Sequence, residues 1–377
     1  MANNLVNRLM VNGKSLKVAL VCDWLTGIGG AERVLLELHK MFPEAPIYTS
    51  QYNPKKIDWF NEADVRTSWL QKLPVSLKKF LPVLRFWYFW RLDLSEYDLV
   101  ISETGAEAKA IKFGSSTTHI CVCNAPTHYY WSRYDDYMKH PGFGPLDPLA
   151  RLGLRLLAGP LRRWDKKAAQ RPTHLVAIST HIQTEIQKYY GRESAVIHPP
   201  VDIERFQLTA TSHELPAKRG FATAGRQTPY KRIDLAVAAC TELELPLTVI
   251  GDGPEHAKLV KMAGPTITFV TSATDEQVAQ HFASANAFIF PGLDDFGIVA
   301  VEALAAGTPV IAYQAGGVLD YLVDGETGAF FSKQSSRSLM QALHNFNPTK
   351  YDSEKIKQHA QKFSAEQFRN NFEKLIK

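Results

Sequence analysis

The stretch Ile289-Phe290-Pro291-Gly292-Leu293-Asp294-Asp295-Phe296-Gly297-Ile298-Val299-Ala300-Val301-Glu302-Ala303 constrains the fold more than any other part of this chain. Its first apolar run, Ala287 to Phe290, is bounded by Pro291-Gly292 and reads as a core strand. The second, from Ile298 through Ala306, is helix-tolerant and stops at Gly307-Thr308-Pro309, a helix-end signal. Strand, glycine-containing turn, helix is the repeating unit of a parallel α/β sheet. The backbone N–H groups around Phe296, Gly297, Ile298 and Val299 are unpaired first-turn donors, a natural place for an anion. An acidic helix start favoured by the macrodipole is the plainer reading of Asp294 and Asp295. This stretch alone leaves both open.

The unit recurs along the chain. Lys17 to Cys22 is a short buried strand, followed by Asp23-Trp24-Leu25-Thr26-Gly27-Ile28-Gly29-Gly30 and a helix from Ala31 to Met41. Further strands are expected at Ile47–Ser50, Val65–Thr67, Tyr97–Ser102, His119–Cys123, His174–Ser179 and Ala195–His198. Pro199-Pro200-Val201-Asp202 stops this set. A second set begins at Gly220–Ala224 and continues at Leu247–Ile250, Ile267–Val270, Ala287–Phe290 and Pro309–Tyr313. With 377 residues, two domains are expected. Residues 1–202 form an N-terminal Rossmann-like domain, 203–219 a polar, irregular linker, and 220–355 a C-terminal Rossmann-like domain. Residues 356–377 are a C-terminal helix returning to the first domain. Two α/β halves joined this way make a ligand cleft.

Composition excludes several classes. The net charge of +5, from 43 basic and 38 acidic residues, is too mild to argue for nucleic acid. No apolar run reaches the ~18 residues that a membrane-spanning helix needs. Met1 to Lys17 lacks the apolar core and cleavage site of a signal peptide, so a cytoplasmic location is expected. Cys22, Cys121, Cys123 and Cys240 read as buried free thiols. Two segments stand apart. Residues 77–91 mix basic residues with a dense aromatic cluster, and residues 151–167 carry Arg151, Arg155, Arg162, Arg163, Lys166 and Lys167. Each suits a peripheral helix at an anionic inner membrane face, and each equally suits a helix packed on its domain with its cations solvated.

The candidate site residues fall at the carboxyl ends of strands, where α/β sheets bind ligands. The loop Gly27 to Glu32 is not a dinucleotide fingerprint, because Glu32 stands where the third glycine belongs. Its glycines still let backbone amides approach a phosphate or sugar. Gly225-Arg226 and Lys231 follow the first strand of the second set, Gly251-Asp252-Gly253-Pro254 the next, and Ser272-Ala273 the one after. Asn124-Ala125-Pro126-Thr127-His128 and the aromatic residues to Tyr134 crowd the end of the strand at Cys123.

Taken together and in this order, the motifs resemble a retaining, nucleotide-sugar-dependent glycosyltransferase of family 4, with the GT-B architecture of two facing Rossmann-like domains. The resemblance runs from about Lys17 to the C-terminus. It rests on Gly27–Glu32 (a Gly-Gly-Ala-Glu loop), Pro199–Asp202, Gly225-Arg226 with Lys231, Val249–Pro254, Asp294 and Glu302 around Phe296-Gly297, and Gly316-Gly317. It implies that Glu302 binds ribose hydroxyls and Asp294 those of the donor sugar. Arg226 and Lys231 meet the diphosphate, with Gly251 in the same donor-binding set, and the backbone at Ser272 and Ala273 holds the base. Gly29 and Gly30 face the diphosphate or sugar, and Glu32, Asn124 and His128 are sugar or acceptor contacts. It also implies no metal and no cofactor: the donor is a UDP- or GDP-linked sugar, with a mannosyltransferase-like subgroup pointing to GDP-mannose, and the acceptor a glycan or lipid-linked saccharide. Fixed cations suit this chemistry, since negative charge grows on the departing diphosphate. The chain departs from the family pattern in four places. Asp294 replaces the usual glutamate, Asn124 a histidine, His128 an arginine, and Asp320 the glutamate that often follows the Gly-Gly pair. Two alternatives are set beside this reading: a sugar-nucleotide-binding subunit that has lost activity through these departures, and a GT-B-type sugar-nucleotide epimerase, which would need a further general acid or a cofactor lysine.

Overall fold

The computed structural model describes residues 10–11, 14–74, 81–139, 141–142, 144–211 and 219–376. It divides into two compact units, Met1–His198 and Pro199–Lys377. A short antiparallel pair, β1 (Met10–Val11) and β2 (Lys14–Ser15), precedes the first sheet.

Seven parallel strands build the first unit's sheet. They are β3 (Val18–Cys22), β4 (Ile47–Thr49), β5 (Val65–Thr67), β6 (Leu99–Thr104), β7 (Thr118–Cys123), β8 (His174–Ala177) and β9 (Ala195–Val196). Their order is β5-β4-β3-β6-β7-β8-β9. The chain therefore winds one way from β3 and then the other way from β6. The gap between β3 and β6 is the switch point at which doubly wound sheets bind ligands. Strands buried on both faces need continuous apolar sequence, which β3 supplies with Ala19, Leu20 and Val21 at 0% exposure.

The second unit repeats the plan with β10 (Phe221–Ala224), β11 (Leu247–Ile250), β12 (Ile267–Val270), β13 (Ala287–Phe290), β14 (Val310–Tyr313) and β15 (Gly328–Phe331). All pairs are parallel, in the order β12-β11-β10-β13-β14-β15. Its switch point lies between β10 and β13. One core joins β10, β11, β13 and β14 to the helices Ile233–Glu242 and Ser336–Asn345 through Val237, Val249, Ile289, Ile311 and Leu339.

Three readings from the sequence are corrected. Residues 203–219 are not irregular throughout: Ile203–Thr211 is a helix. Phe206 is fully buried and stacks on Phe282 at 5.9 Å. Burying one phenylalanine contributes about 1.5–3 kcal/mol toward ordering a segment whose composition reads as polar. Strand β6 runs two residues further than its apolar pattern, through Glu103 and Thr104. Residues 356–377 are not one helix: Ser353–Ala360 and Ala365–Ile376 are separated by the 3-10 turn Gln361–Phe363. Thr274 caps the helix Asp275–Ala283, with Gln277 closing a capping box. All four cysteines are buried and unpaired.

The two basic, aromatic segments are helices whose faces are divided. Residues 77–80 lie outside the described residues. In the helix Pro82–Arg91, Arg85 and Phe89 are buried, while Val83, Leu84 and Trp87 are exposed. In Asp147–Ala168, the inner face buries Leu161 and Asp165, and Leu149, Leu152, Leu156 and Leu157 are exposed. Phe86 stacks on Trp164 at 5.3 Å, so the two helices touch. No helix among the described residues is long and apolar enough to cross a membrane.

Candidate active site

In the first unit, Asp23 organises the switch point. It follows β3 and is 7% exposed. Its carboxylate accepts hydrogen bonds from the Thr104 hydroxyl at 2.9 Å and from the amides of Gly105 at 3.0 Å, Glu107 at 2.8 Å and Ala108 at 2.7 Å. A carboxylate has about four lone-pair positions, so this one is fully used in shaping the turn after β6. The same bonds explain why β6 continues through polar residues. The turn leads to Glu107, which accepts from Arg85 at 2.9 Å and from the Tyr129 hydroxyl at 2.5 Å. Arg85 also lies over the Trp24 ring at 4.6 Å.

A cavity of about 250 Å³ opens beside Asp23, lined by Trp24, Glu32, Glu103, Asn124, His128 and Tyr137 among others. The Asn124 side-chain amide donates to Glu103 Oε1. Burial pushes the Glu103 carboxyl well above its ordinary range, opposed by the Asn124 hydrogen bond and reinforced by the charges of Asp23 and Glu32. His128 Nδ1 lies 2.9 Å from the Ser132 hydroxyl. Glu32, Asn124 and His128, expected as sugar contacts, thus share one cavity. Gly29 is the N-cap of the helix Gly30–Met41, and Glu32 is the acid of its first turn. The Glu32 carboxylate approaches within 2.9 Å of where a Cβ on Gly29 would stand, so it already occupies the space beside these amides.

Behind this cavity lies a buried ion pair that composition does not reveal. Lys109, fully buried, meets Asp165 Oδ1 at 2.7 Å. Asp165 also accepts from Thr127 at 2.9 Å, Trp131 Nε1 at 2.7 Å and the Tyr190 hydroxyl at 2.8 Å. Burial alone would lower the Lys109 ammonium, but Asp165 outweighs it and holds the group above its usual range.

In the second unit, the loops after β10 and β13 meet across the switch point. Lys231 Nζ donates to Asp294 Oδ2, and the Asp294 side chain is 9% exposed. Asp294 Oδ1 is buried without a hydrogen-bond partner among the described residues. Such an oxygen is costly and marks a place where a donor is missing. Arg226 is exposed, and its guanidinium makes no ion pair among the described residues. Gln227, which the sequence reading passed over, is fully buried and donates to the Gly251 carbonyl at 2.7 Å. Its Oε1 lies 2.8 Å from His256 Nδ1, and its amide donates to the Asp252 carbonyl at 2.9 Å. These bonds lock the Gly225–Gln227 loop to the Gly251–Gly253 loop.

Gly297 starts the helix Ile298–Ala305 with φ 94°, a left-handed conformation that favours glycine. A Cβ there would stand 2.6 Å from Phe290 Cζ and 2.8 Å from the Tyr321 hydroxyl. The Gly316-Gly317 pair works at the other side of the same loop. Gly317 N donates to the Asp294 carbonyl at 2.9 Å, and a Cβ on Gly317 would fall 2.3 Å from the Asp295 carbonyl oxygen. Asp294 is therefore held by its backbone as well as by Lys231. Phe296 is a packing residue, 2% exposed and against Tyr321 at 5.3 Å, so only its backbone is available to a ligand. Glu302 is 7% exposed on the same helix, and Ile298 and Val299 are half-buried at its first turn. Ser272 and Ala273 follow β12 at the sheet edge, away from the switch point, with Ser272 exposed. Asp320 is half-buried at the end of the 3-10 turn Gly317–Asp320.

Two family models match the chain. Residues 28–205 match Glycosyltransferase Family 4, and residues 207–363 match Glycosyl transferases group 1. The D-inositol 3-phosphate glycosyltransferase of Streptomyces avermitilis is 29% identical over 203 residues, 46% of this chain and 44% of that protein. The GDP-mannose-dependent alpha-mannosyltransferase of Mycobacterium tuberculosis is 33% identical over 135 residues, 34% of this chain and 35% of that protein. The matched region spans less than half the length of these curated relatives. Among solved structures, sucrose-phosphate synthase from Thermosynechococcus elongatus superposes with a TM-score of 0.70 at 18% identity, covering 95% of this chain and 98% of that one. Anabaena HepE in complex with UDP and glucose gives 0.66 at 18% identity, covering 96% and 99%. The fold, the order of the motifs and the two matched models agree: the chain belongs to glycosyltransferase family 4, with the GT-B architecture.

Proposed function

We propose that this chain is a retaining glycosyltransferase that moves a hexose from a nucleoside diphosphate sugar to a glycan or lipid-linked acceptor, with GDP-mannose the favoured donor. The observation that carries the proposal is the second unit's switch point. A buried carboxylate oxygen of Asp294 lacks a donor, the Lys231 ammonium is held beside that carboxylate, and the Arg226 guanidinium is exposed nearby in sequence. A sugar hydroxyl supplies the missing donor to Asp294. Arg226 and Lys231 stabilise the charge that develops on the leaving diphosphate, work done elsewhere by a divalent ion. Glu302 takes the ribose hydroxyls, the first-turn amides of Ile298 and Val299 face the phosphates, and the backbone at Ser272 and Ala273 holds the base. The similarity to a GDP-mannose-dependent mannosyltransferase supports the choice of donor. Peripheral contact with an anionic membrane is part of this reading. Its support is the pair of touching helices that expose Trp87, Leu149, Leu152 and Leu156 beside basic residues.

The test is a thermal-shift panel of UDP, GDP and ADP, with and without EDTA, followed by turnover of Arg226→Ala. One nucleotide should raise the melting temperature with EDTA present, because a ligand stabilises only the state it binds. Arg226→Ala should lower turnover by at least ~100-fold with an unchanged melting temperature, the scale of one lost transition-state contact. No response to any nucleotide, or normal turnover in the variant, would overturn the proposal.

A further inference from the structure

The cavity of the first unit holds a group that the donor reading does not use. Glu103 is the penultimate residue of β6, lies 4% exposed and lines the cavity. Its neighbour Asp23 has its lone pairs filled by protein donors. Glu103 differs: among the described residues, Asn124 is the only side chain or backbone group that donates to it. A carboxylate kept in such a place with one donor is expensive unless something else supplies hydrogen bonds. The cavity also presents Trp24 and Tyr137, aromatic rings of the kind that pack against the C–H face of a pyranose. An apolar wall with a few convergent polar groups is the build of a small-molecule site.

We propose that Glu103 reads a hydroxyl of a neutral sugar ring in this cavity, with Asn124 holding its carboxylate in position, and that it excludes a ring bearing a carboxylate there. The choice of a sugar as the ligand rests on the function proposed above. Glu32 lines the same cavity and adds to the exclusion of negative charge. The burial that raises the Glu103 carboxyl is consistent with a group whose charged form waits for a donor. Asn124, one of the chain's departures from the family pattern, acquires a role here. A neutral amide donor orients Glu103 without adding a titratable cation. The ring bound is either that of the donor or that of the acceptor; both present the same hydroxyl chemistry.

The experiment uses the full chain and follows saturation-transfer NMR of methyl α-mannopyranoside, methyl α-glucopyranoside and methyl α-glucopyranosiduronate. The wild type should bind the neutral glycosides and reject the uronate. Glu103→Gln keeps the shape and can still accept from Asn124, but removes the charge. It should bind the best neutral glycoside about 10-fold more weakly, the scale of losing a charge-assisted hydrogen bond, and should narrow the gap to the uronate. In steady-state kinetics, KM for the acceptor rises if the acceptor ring sits here, and KM for the donor rises if the donor ring does. Should Glu103→Gln melt early, Asn124→Ala gives the same readout, because it removes the group that orients the carboxylate. Wild-type binding of the uronate as tightly as the neutral rings overturns the proposal. So does unchanged selectivity in a folded variant, or no signal from any neutral glycoside. The nucleotide thermal shift is independent: a shift with no glycoside binding sinks this proposal alone, and glycoside binding without a shift sinks the donor reading alone.

Discussion

Replacing Lys231 by methionine tests the switch-point ion pair directly. The side chains of Lys231 and Asp294 are 20% and 9% exposed, so the carboxylate is the more buried partner. Among the described residues Lys231 is the side chain that donates to Asp294, whose other oxygen is already without a partner. Removing one member of a buried pair costs about 3–5 kcal/mol, because the other charge is left uncompensated. Water reaching the partly exposed ammonium weakens the pair, so about 2–4 kcal/mol is expected here. For a unit of this size, 1 kcal/mol shifts the melting temperature by ~2–4 °C, giving a fall of roughly 5–15 °C. Asp294→Asn should cost less, about 1 kcal/mol, since the ammonium it leaves behind can hydrate. The double variant Lys231→Met/Asp294→Asn should be less damaged than the sum of its singles, as expected when two charges vanish together. Calorimetry of the four proteins reads all three numbers. The reasoning fails if Lys231→Met unfolds with the wild type, if Asp294→Asn is the worse single variant, or if the two changes add.

Gly297→Ala should lose about 2–4 kcal/mol, through a strained φ and an overlap with Phe290 and Tyr321. Gly325→Ala has a φ of 77° but open space around it and should lose only about 1 kcal/mol. Equal losses in urea unfolding would refute the steric part. His119 is fully buried, and burial, with Arg171 nearby, lowers its pKa from 6.5 to about 3. The unfolded chain therefore takes up a proton that the folded one does not, and stability present above pH 6.5 is lost as the pH falls toward 3. The loss should reach about 2 kcal/mol by pH 5, and a His119→Gln variant with the same pH slope as wild type would exclude this origin. Vesicles containing phosphatidylglycerol should float the protein at low salt and release it at high salt, with Leu156→Glu, altered at a residue 66% exposed, floating less. Absence of flotation at low salt would remove the membrane contact.

The pattern of short apolar runs and glycine turns made most strands of both sheets legible, because strands buried on both faces leave little choice of composition; the edge strand β15, Gly328–Phe331, was not among them. The glycine pairs were legible for a similar reason: Gly316-Gly317 stands where the backbone of residues 294–296 passes too close for a side chain. Polar residues given their place by distant partners were not legible. Glu103 and Thr104 read as the start of a turn, because the carboxylate that draws the strand onward, Asp23, lies about 80 residues earlier. Arg85 reads as one of the solvated cations of its helix, and its burial follows from Glu107; Lys109 is drawn inside by Asp165, and no local spacing announces either partner. The helix Ile203–Thr211 was missed because its order depends on Phe206 meeting Phe282. Composition placed two basic, aromatic segments correctly as amphipathic but could not say which residue faces which way.

The four bonds that converge on Asp165 fix the azimuth of the helix Asp147–Ala168. A slip of one residue would turn that helix by about 100° and carry the carboxylate out of reach of Lys109, Thr127, Trp131 and Tyr190 together. The outer leucines are thereby given a compass bearing set from inside the protein. Thr127 and Trp131 flank His128 and Tyr129, two residues of the cavity wall. A torque applied to the outer face of this helix reaches that wall through Asp165, and through Arg162, which donates to the Tyr130 carbonyl.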